Sequence, residues 1–560
     1  MSAAPERNND VRLSVVVPVK NSSQWLEELL QSVVAQAIPG VEVLVVDNGS
    51  IDQSAELARQ IARTETEIRI VSSTATNAAE ARSAGLAAAR GEYLVFADSD
   101  DIVPDGAYRV MLDSLEASGS DMAIGDHLKF SPTETWSPTH RWYAFDEHLQ
   151  AIAPSTVPQL LSGRPCWNRM FRRSFWDRAG LRFPEIASVE DIEPMTRAFV
   201  VAASIDVVPE CVYLYRDRGD ASSLSLRADA SVTVRYLEQE LACAALVLDE
   251  PSLRAQHAEI VLDADGWAHL HRFLATDPDD ASITDVAQAT AALLSAVPLD
   301  ALATVAPRRR MLWELVIHDE WGAARAFVLG TRMTSERDRI GGWVDAVQRL
   351  RDSDPAAAGQ LAGDGLVPAL VNGADEVDPG ALGELLTGFD GLVLEPTGNP
   401  ISDAMIAALR SGQAERVSRV STLRRVVPLV VAKADASTDG LTVGGPADLQ
   451  QVGGRASLHL SGPTNEDVPI EVDSDAEGWC ADLSAADVGP GRYAVTASFD
   501  GVTGRFPVVT ARMALPPIAG SLPMQPLADR KDGWRFLVDR RPEQRGGLGG
   551  FLGKVARKLR

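Results

Sequence analysis

The sequence predicts an α/β fold, a Rossmann-like and mostly parallel sheet wound with helices, followed by a helical region and a C-terminal β-sandwich. Three observations predict it. As far as residue 97, short β-rich runs alternate with segments whose apolar residues recur at helical spacing. Each of three such runs ends in a polar turn or a carboxylate, the edge at which ligands bind in sheets of this kind. Beyond Val426 the texture changes to short alternating runs separated by Gly, Pro and Asp, as a sandwich requires.

Taken in order, residues 1–10 are polar and mixed in charge, which predicts a disordered N-terminus and no secretory signal. Leu13 to Val19 reads as the first strand, closed by Pro18 and followed by the polar turn Lys20 to Ser23. Trp25, Leu26, Leu29, Leu30, Val33 and Val34 then make one apolar stripe, so this stretch is a helix. Val41 to Val46 is the second strand and ends at Asp47; Asn48-Gly49-Ser50 turns the chain, Asp52 caps, and Ala55 to Ala62 form the second helix. Ile68 to Val71, Ala78 to Ala89 and Glu92 to Ala97 continue the alternation.

That last strand runs directly into Asp98, Asp100 and Asp101. Carboxylates this close repel one another unless solvent screens them or a cation sits among them. Mg2+ or Mn2+ answers the need, because a hard ion takes oxygen ligands and shares its shell with a diphosphate. Taken alone, an Asp-x-Asp is equally an acidic turn capping the next helix. Context decides: the turn after Val19, Asp47, and Asp98 with Asp100 all lie at the carboxyl ends of strands, so three strands aim polar groups at one edge. No Gly-x-Gly-x-x-Gly follows the first strand, which argues against a nicotinamide or flavin dinucleotide.

Bulk properties set the limits. At 560 residues the chain is too long for one core and predicts roughly two to four domains. A hydrophobic content of 45% with 23% charged residues is that of a soluble globular protein. A net charge of -25 lacks the basic footprint a nucleic-acid binder needs. Cys166, Cys211, Cys243 and Cys480 lie far apart, which predicts neither a zinc site nor a disulfide framework and fits a reducing compartment. No apolar run approaches the ~20 residues needed to span a bilayer, so a cytoplasmic location is expected.

In order and spacing, VVVPVKN, VVDNGSID, EARSAGLAAARGEYLVFADSDD and VEDIEPMTRAF resemble the successive blocks of family 2 glycosyltransferases, which have the GT-A nucleotide-sugar fold. The resemblance covers about the first 220 residues. It implies an inverting, metal-dependent transfer from a nucleotide-diphosphate sugar, a UDP-sugar, to a hydroxyl of a cell-envelope glycan, wall polymer or lipid-linked acceptor. By the same resemblance Pro18 and Val19 would line the nucleotide site and Asp47 would accept a hydrogen bond from the base. Arg82 would help hold the nucleotide, although Ser83 stands where asparagine is usual, and Thr76 and Asn77 replace the customary glycines. Asp98 would face ribose and metal, and Asp100 would be the principal ligand of a divalent Mn2+ or Mg2+.

Farther on, Pro165 to Arg173 is similar to the family's Trp-Asn-Lys-Leu-Tyr block, with Trp167 and Asn168 in place and Arg169 where lysine is usual. Four arginines between Arg164 and Arg173 read either as a solvated helix start or as an acceptor wall that attracts an anionic glycan or lipid phosphate. Glu190-Asp191 reads either as acidic residues favouring a helix dipole or, by resemblance, as the edge of the acceptor region and the catalytic base Asp191. A base is needed because a sugar hydroxyl is a poor nucleophile until it loses its proton. Tyr213 to Arg218, followed by Ser222 and Ser223, resembles the block that closes the family's site, so Arg216 and Arg218 would clamp the diphosphate. His127, His140 and His148 show no ligand spacing and read as surface or packing residues.

The expected organisation is a catalytic domain at 11–226, a helical domain at 227–352, an unassigned stretch at 353–425, an Ig-like sandwich at 426–515 and a linker with a basic tail at 516–560. The sandwich shows no catalytic cluster in sequence and suits either oligomerisation or glycan binding. Residues 551–560 place Phe551, Leu552, Val555 and Leu559 opposite Lys554, Arg557 and Arg560, either a contact with the inner membrane surface, making the protein peripheral there, or a solvated tail. Two rivals stand beside the transferase: a noncatalytic nucleotide-sugar or glycan-binding scaffold, which needs no base, and a nucleotidyltransferase, which would carry a Gly-rich basic loop where this chain has Lys20-Asn-Ser-Ser23.

Overall fold

The computed structural model describes residues 11–65, 67–140, 144–218, 228–389, 391–437, 439–452, 455–462, 467–484, 486–488, 490–511, 524–530 and 533–538. The expectations placed on residues 1–10, on Ser222 and Ser223, and on the tail 551–560 lie outside the described residues. The chain divides into two compact units, 1–317 and 318–560. That division falls inside the span 227–352 expected as one helical domain.

In the first unit β1 (Leu13–Val19), α1 (Leu26–Val34), β2 (Val41–Asp47), α2 (Ser54–Ile61), β3 (Ile68–Val71), α3 (Ala78–Ala88), β4 (Tyr93–Phe96) and α4 (Ala107–Ser118) alternate as predicted. Every residue of β1 and β4 is buried, which explains why these strands read as unbroken apolar runs covered on both faces. Next come β5 (Met122–Phe130), β6 (Thr135–Trp136), β7 (Leu149–Ile152), β8 (Arg169–Arg172), α5 (Arg173–Arg178), α6 (Ile192–Val201) and β9 (Ile205–Arg216).

The strand order is β3-β2-β1-β4-β8-β5-β9-β7, with β6 on β5. Only the β3-β2-β1-β4 half is purely parallel. Beyond it β8 runs antiparallel to both β4 and β5, while β5 and β9 run parallel, so the sheet is mixed rather than mostly parallel. The apolar alternation of β5 is broken where the register slips at Gly125, Asp126 and His127, a bulge that hides the strand from a periodicity reading.

Register sets the edge at which these turns meet. Val19 pairs with Asp47, and Phe96 pairs with Val16, which brings Asp98 to the level of Pro18. A Cβ on Gly85 of α3 would collide with Val16 of β1, so only glycine lets α3 lie this close to the sheet, one turn from Arg82. An isolated bridge joins Ile102 to Leu214, with paired amide–carbonyl hydrogen bonds of 3.1 and 2.9 Å, and ties the turn after β4 to β9. Five helices complete the unit: α7 (Ala230–Leu246), α8 (Pro251–Asp263), α9 (Asp265–Leu274), α10 (Asp280–Leu294) and α11 (Pro307–Ile317).

The second unit begins with α12 (Trp321–Thr331), α13 (Glu336–Ser353), α14 (Pro355–Leu361), α15 (Val367–Gly373), α16 (Pro379–Leu386), α17 (Pro400–Arg410) and α18 (Ala414–Thr422). The stretch left unassigned at 353–425 is therefore helical. Its helices are short because glycine and proline punctuate it; four of them carry proline in the first turn, and three of these are capped, by Asp354, Asp378 and Asn399.

The strands follow as β10 (Leu429–Val431), β11 (Lys433–Ala436), β12 (Gly440–Gly445), β13 (Ala456–Ser461), β14 (Val468–Asp475), β15 (Gly478–Ser484), β16 (Gly491–Phe499), β17 (Phe506–Thr510), β18 (Met524–Arg530) and β19 (Gly533–Val538). Tyr493, Val495, Ala497 and Phe499 face inward at a period of two, the pattern that announced the sandwich-like module. The expected boundary at 515 is too early, because β19 pairs with both β16 and β18 and the sheet runs on to Val538. No helix among the described residues is long and apolar enough to cross a membrane.

Candidate active site

Arg82 is where distant segments meet. It projects from α3, is almost wholly buried, and its Nη2 donates to Asp98 Oδ1 at 2.7 Å while Nη1 donates to Glu190 Oε1. One guanidinium thus joins the turn after β4 to the turn before α6, residues more than 90 positions apart in sequence. Burial alone would lower its pKa, but the surrounding thiol of Cys166 and the carboxylates of Asp98, Glu190 and Asp191 hold it well above the ordinary arginine value.

Asp191 stands at the N-cap of α6, the position at which a carboxylate favours the helix dipole, and its side chain makes no capping hydrogen bond. Burial first, and then the neighbouring Glu190, push its pKa up to about 7 against the opposing pull of Arg82. The turn that carries it is strained: Val189, a β-branched residue, has φ of 57°. Ser188, at its start, takes a 3.2 Å hydrogen bond from Nε of Arg235 on α7.

The other carboxylates lie under β9. The amide of Asp98 donates to Tyr213 Oη at 2.8 Å. Nε of Arg218 donates to Asp100 Oδ2 at 2.6 Å, and the guanidinium also stacks over Trp25 at 4.7 Å. Arg216 gives its amide to Asp101 Oδ1, its Nε to the Asp100 carbonyl, both at 2.7 Å, and its Nη2 to Glu28 at 2.6 Å. Burial and the nearby Asp98 raise Asp100 despite Arg218, and burial with Asp100 and Asp98 raises Asp101 well above the usual carboxylate range.

Asp98 and Asp100 are hard oxygen donors of the kind Mg2+ or Mn2+ prefers. Their crowding fits such an ion, since Asp101 Oδ2 is buried without a hydrogen-bond partner and Asp100 resists ionisation. Among the described residues no group of three His, Cys, Asp or Glu could hold an ion unaided, so these two carboxylates would need oxygens from a substrate.

At the edge expected to hold the nucleotide, Pro18 and Val19 are buried at the tip of β1, and the Val19 carbonyl accepts the Asn48 amide at 2.7 Å. Asp47 is half-buried beside them and accepts the Ser50 amide at 3.3 Å; Asn48 buries an Oδ1 that has no hydrogen-bond partner. The Oγ atoms of Ser22 and Ser99 lie 2.5 Å apart, linking the turn after β1 to the Asp98–Asp100 turn.

The acceptor wall differs from expectation. Trp167, 7% exposed, is stacked on Tyr213 and Tyr215 with centroids 4.3 and 5.8 Å away, and Asn168 donates to the Gly125 carbonyl at 2.9 Å. Arg169 is 1% exposed and spends its donors on the carbonyls of Gly163 and Pro165 and on Asn168 Oδ1. Arg164 grips Glu240, Arg172 donates to Tyr93 Oη, and Arg173 pairs with Asp177. The four arginines expected either to form a solvated helix start or to attract an anionic acceptor are thus committed to internal partners, and burial takes Arg169 down to about 10.

Sequence reasoning gave no site role to Trp25, Glu28, Ser22 or Ser99, and placed Tyr213 only as the start of the block expected to close the site. Tyr213 and Tyr215 were legible as a pair, because alternate residues of a strand share a face and both meet Trp167. His127, read as surface or packing, is buried; burial and the cations Lys129 and Arg169 take it down to about 3. In the second unit His459 meets Ser498 Oγ at 2.8 Å and Asp467 Oδ1 at 2.9 Å. Its ring is 8% exposed with both nitrogens engaged, the state of a packed histidine on a strand face.

Residues 14–179 match the model of glycosyl transferase family 2. The chain is 27% identical over 213 residues to the uncharacterized glycosyltransferase EpsJ of Bacillus subtilis, covering 37% of this chain and 61% of that protein. It is 21% identical over 282 residues to the glycosyltransferase GlyG of Streptococcus pneumoniae, covering 47% of this chain and 91% of GlyG. Among solved structures it is similar to S. aureus TarS 1-349 in complex with UDP-GlcNAc, with a TM-score of 0.47 and 20% identity over 57% of this chain and 91% of that one.

Proposed function

We propose that this chain, whose residues 14–179 carry a family 2 glycosyl transferase domain, is an inverting, metal-dependent hexosyltransferase. Its donor is a nucleotide-diphosphate sugar, a UDP-sugar, and its acceptor a hydroxyl of a cell-envelope glycan, wall polymer or lipid-linked glycan. The observation that carries the reading is Arg82, which pairs with both Asp98, read as the metal-side carboxylate, and Glu190, read as the acceptor-side one, next to Asp191.

In this reading the acceptor oxygen attacks the anomeric carbon, the bond from that carbon to the diphosphate breaks, and the nucleoside diphosphate leaves with the electron pair. Asp191 takes the acceptor proton, and a carboxylate held near pKa 7 is well matched to that task at neutral pH. Such help is worth about 10²- to 10⁴-fold in rate, or roughly 3 to 5 kcal/mol. Asp98 and Asp100 would hold a divalent ion, which when bound offsets charge on the departing diphosphate. Asp47 and the end of β1 would hold the nucleotide, and Arg216 and Arg218 would face its phosphates.

A single attack with one base and no enzyme nucleophile inverts the anomeric configuration. The same proposal includes the contact of the basic segment 551–560 with the inner membrane surface, where lipid-linked acceptors reside, and homo-oligomerisation through the sandwich.

Asp191→Asn is expected to keep UDP binding in a thermal-shift titration with Mn2+ while losing about 10²- to 10⁴-fold in turnover. Asp100→Ala is expected to lose Mn2+-dependent UDP binding itself. Turnover like the parent's in both variants would sink the assignment. A noncatalytic scaffold would instead bind UDP and release no sugar with any acceptor in the parent protein.

A further inference from the structure

Arg218 has a partner that a diphosphate clamp should not have. Three arginines reach the carboxylate cluster, and they are held differently. Arg82 is buried between two anions, its side chain 7% exposed. Arg216 is the last residue of β9, fixed through its own amide to Asp101 and through its side chain to Glu28 and the Asp100 carbonyl. Arg218 lies two residues past the end of that strand, with its side chain 26% exposed, and directs both Nε and Nη2 at the single oxygen Asp100 Oδ2. A fork centred on Oδ2 takes one of the two Asp100 oxygens a metal ion would use, and its charge opposes a second cation on the other. The rest of the guanidinium rests on Trp25, a cation–π contact that holds it there.

We propose that Arg218 is a built-in counter-cation for Asp100, which must be displaced before a divalent ion can bind, so that the ion enters together with the nucleotide rather than ahead of it. The proposal rests on the reading of Asp98 and Asp100 as metal ligands. Two cations cannot share one carboxylate oxygen without strong repulsion in a partly buried site. An arriving diphosphate offers the displaced guanidinium a new anion with matching geometry, which removes most of the cost of leaving Asp100. Linkage then requires that nucleotide tighten metal binding by the same factor as metal tightens nucleotide binding.

The test is a Mn2+ titration of the full chain, read as free Mn2+ by electron paramagnetic resonance, with and without UDP. The parent protein is expected to bind Mn2+ weakly alone and about 10-fold or more tighter with UDP. Arg218→Ala is expected to bind Mn2+ about 5- to 50-fold tighter than the parent in the absence of UDP, with the UDP effect smaller by that same factor and the part due to diphosphate ligation retained. Trp25→Leu, which removes the stack and leaves the ion pair, is expected to tighten Mn2+ by about 2- to 5-fold without UDP, and it serves if the arginine variant does not fold.

Mn2+ binding without UDP that is unchanged or weaker in the variant that folds overturns the proposal, while a weakened Asp100→Ala in the same assay leaves the ligand assignment standing. Parent-like Mn2+ binding by Asp100→Ala overturns both.

Discussion

Two of the clusters of buried charge among the described residues of the first unit are finished to different degrees. In one, Arg164 donates to both oxygens of Glu240 at 2.9 and 2.6 Å, and His257 Nε2 meets Glu240 Oε2 at 3.0 Å. Glu240 is fully buried, and burial would raise it, yet Arg164 and His257 hold it far below the ordinary carboxylate range. In the other, Asp100, Asp101 and Asp191 are all raised, and both Asp101 Oδ2 and Arg82 Nε are buried without hydrogen-bond partners. The first satisfies its central carboxylate, Glu240, wholly within the protein and fastens α7 and α8 to the segment ahead of β8. The second leaves one acceptor and one donor unpaired and holds its carboxylates above their usual range, the condition expected of groups that wait for a ligand.

The contrast breaks most visibly if a member of the closed cluster is removed. Glu240→Leu leaves Arg164 buried without its partner and is expected to cost about 3–5 kcal/mol. Arg164→Met combined with Glu240→Leu replaces the pair by apolar side chains and is expected to recover most of that loss. The urea midpoint of the first unit's transition reads both variants. A single variant as stable as the parent would mean that the cluster is not the fastening described.

The open cluster is expected to respond with the opposite sign. Asp191 has a folded pKa near 7 against an ordinary value of 3.8, so the native state holds its proton more tightly than the unfolded chain does. Stability therefore falls as pH rises through the window from about 4 to about 7, and above it the buried charge is a standing cost. Asp191→Asn removes that cost, and without divalent ions it is expected to be on the order of 1–3 kcal/mol more stable than the parent at pH 8. The gap is expected to close by pH 4, where both side chains are neutral. Melting temperatures across pH 4 to 8 in EDTA would show it, and a gap that does not narrow in acid would place the cause elsewhere.

How much of this was legible in sequence follows the same division. Strands β1, β2 and β4 announced themselves because each is a mainly apolar, β-rich run ending in a polar turn, and that pattern also located Asp47, Asp98 and Asp100. The antiparallel half stayed hidden because β5 carries a bulge at Gly125 to His127 and because β8 contains two arginines. The arginines from Arg164 to Arg173 read as a free basic run since their partners are remote: Glu240 lies 76 residues from Arg164. The union of Asp98 with Glu190 through Arg82 could be placed only by likeness of blocks, because no local periodicity relates α3 to the turn before α6. The tie of Arg218 to Asp100 spans 118 residues and has no local sequence signal.

The smallest effect sharpens the comparison from the neutral side. Ser22 and Ser99 are both buried, their hydroxyls 2.5 Å apart, and they link two turns of the open cluster without carrying charge. If the character of that cluster lies in its carboxylates, Ser99→Ala should behave as the loss of one ordinary hydrogen bond. Ser22 Oγ still donates to the Lys20 carbonyl at 3.2 Å, so it is not stranded, and the expected cost is about 0.5–1.5 kcal/mol. Mn2+ binding in the presence of UDP should fall by no more than about 10-fold, the ceiling set by that same energy. A loss as large as that of Asp100→Ala would show that the serine pair, rather than the carboxylates, fixes the geometry of the turn.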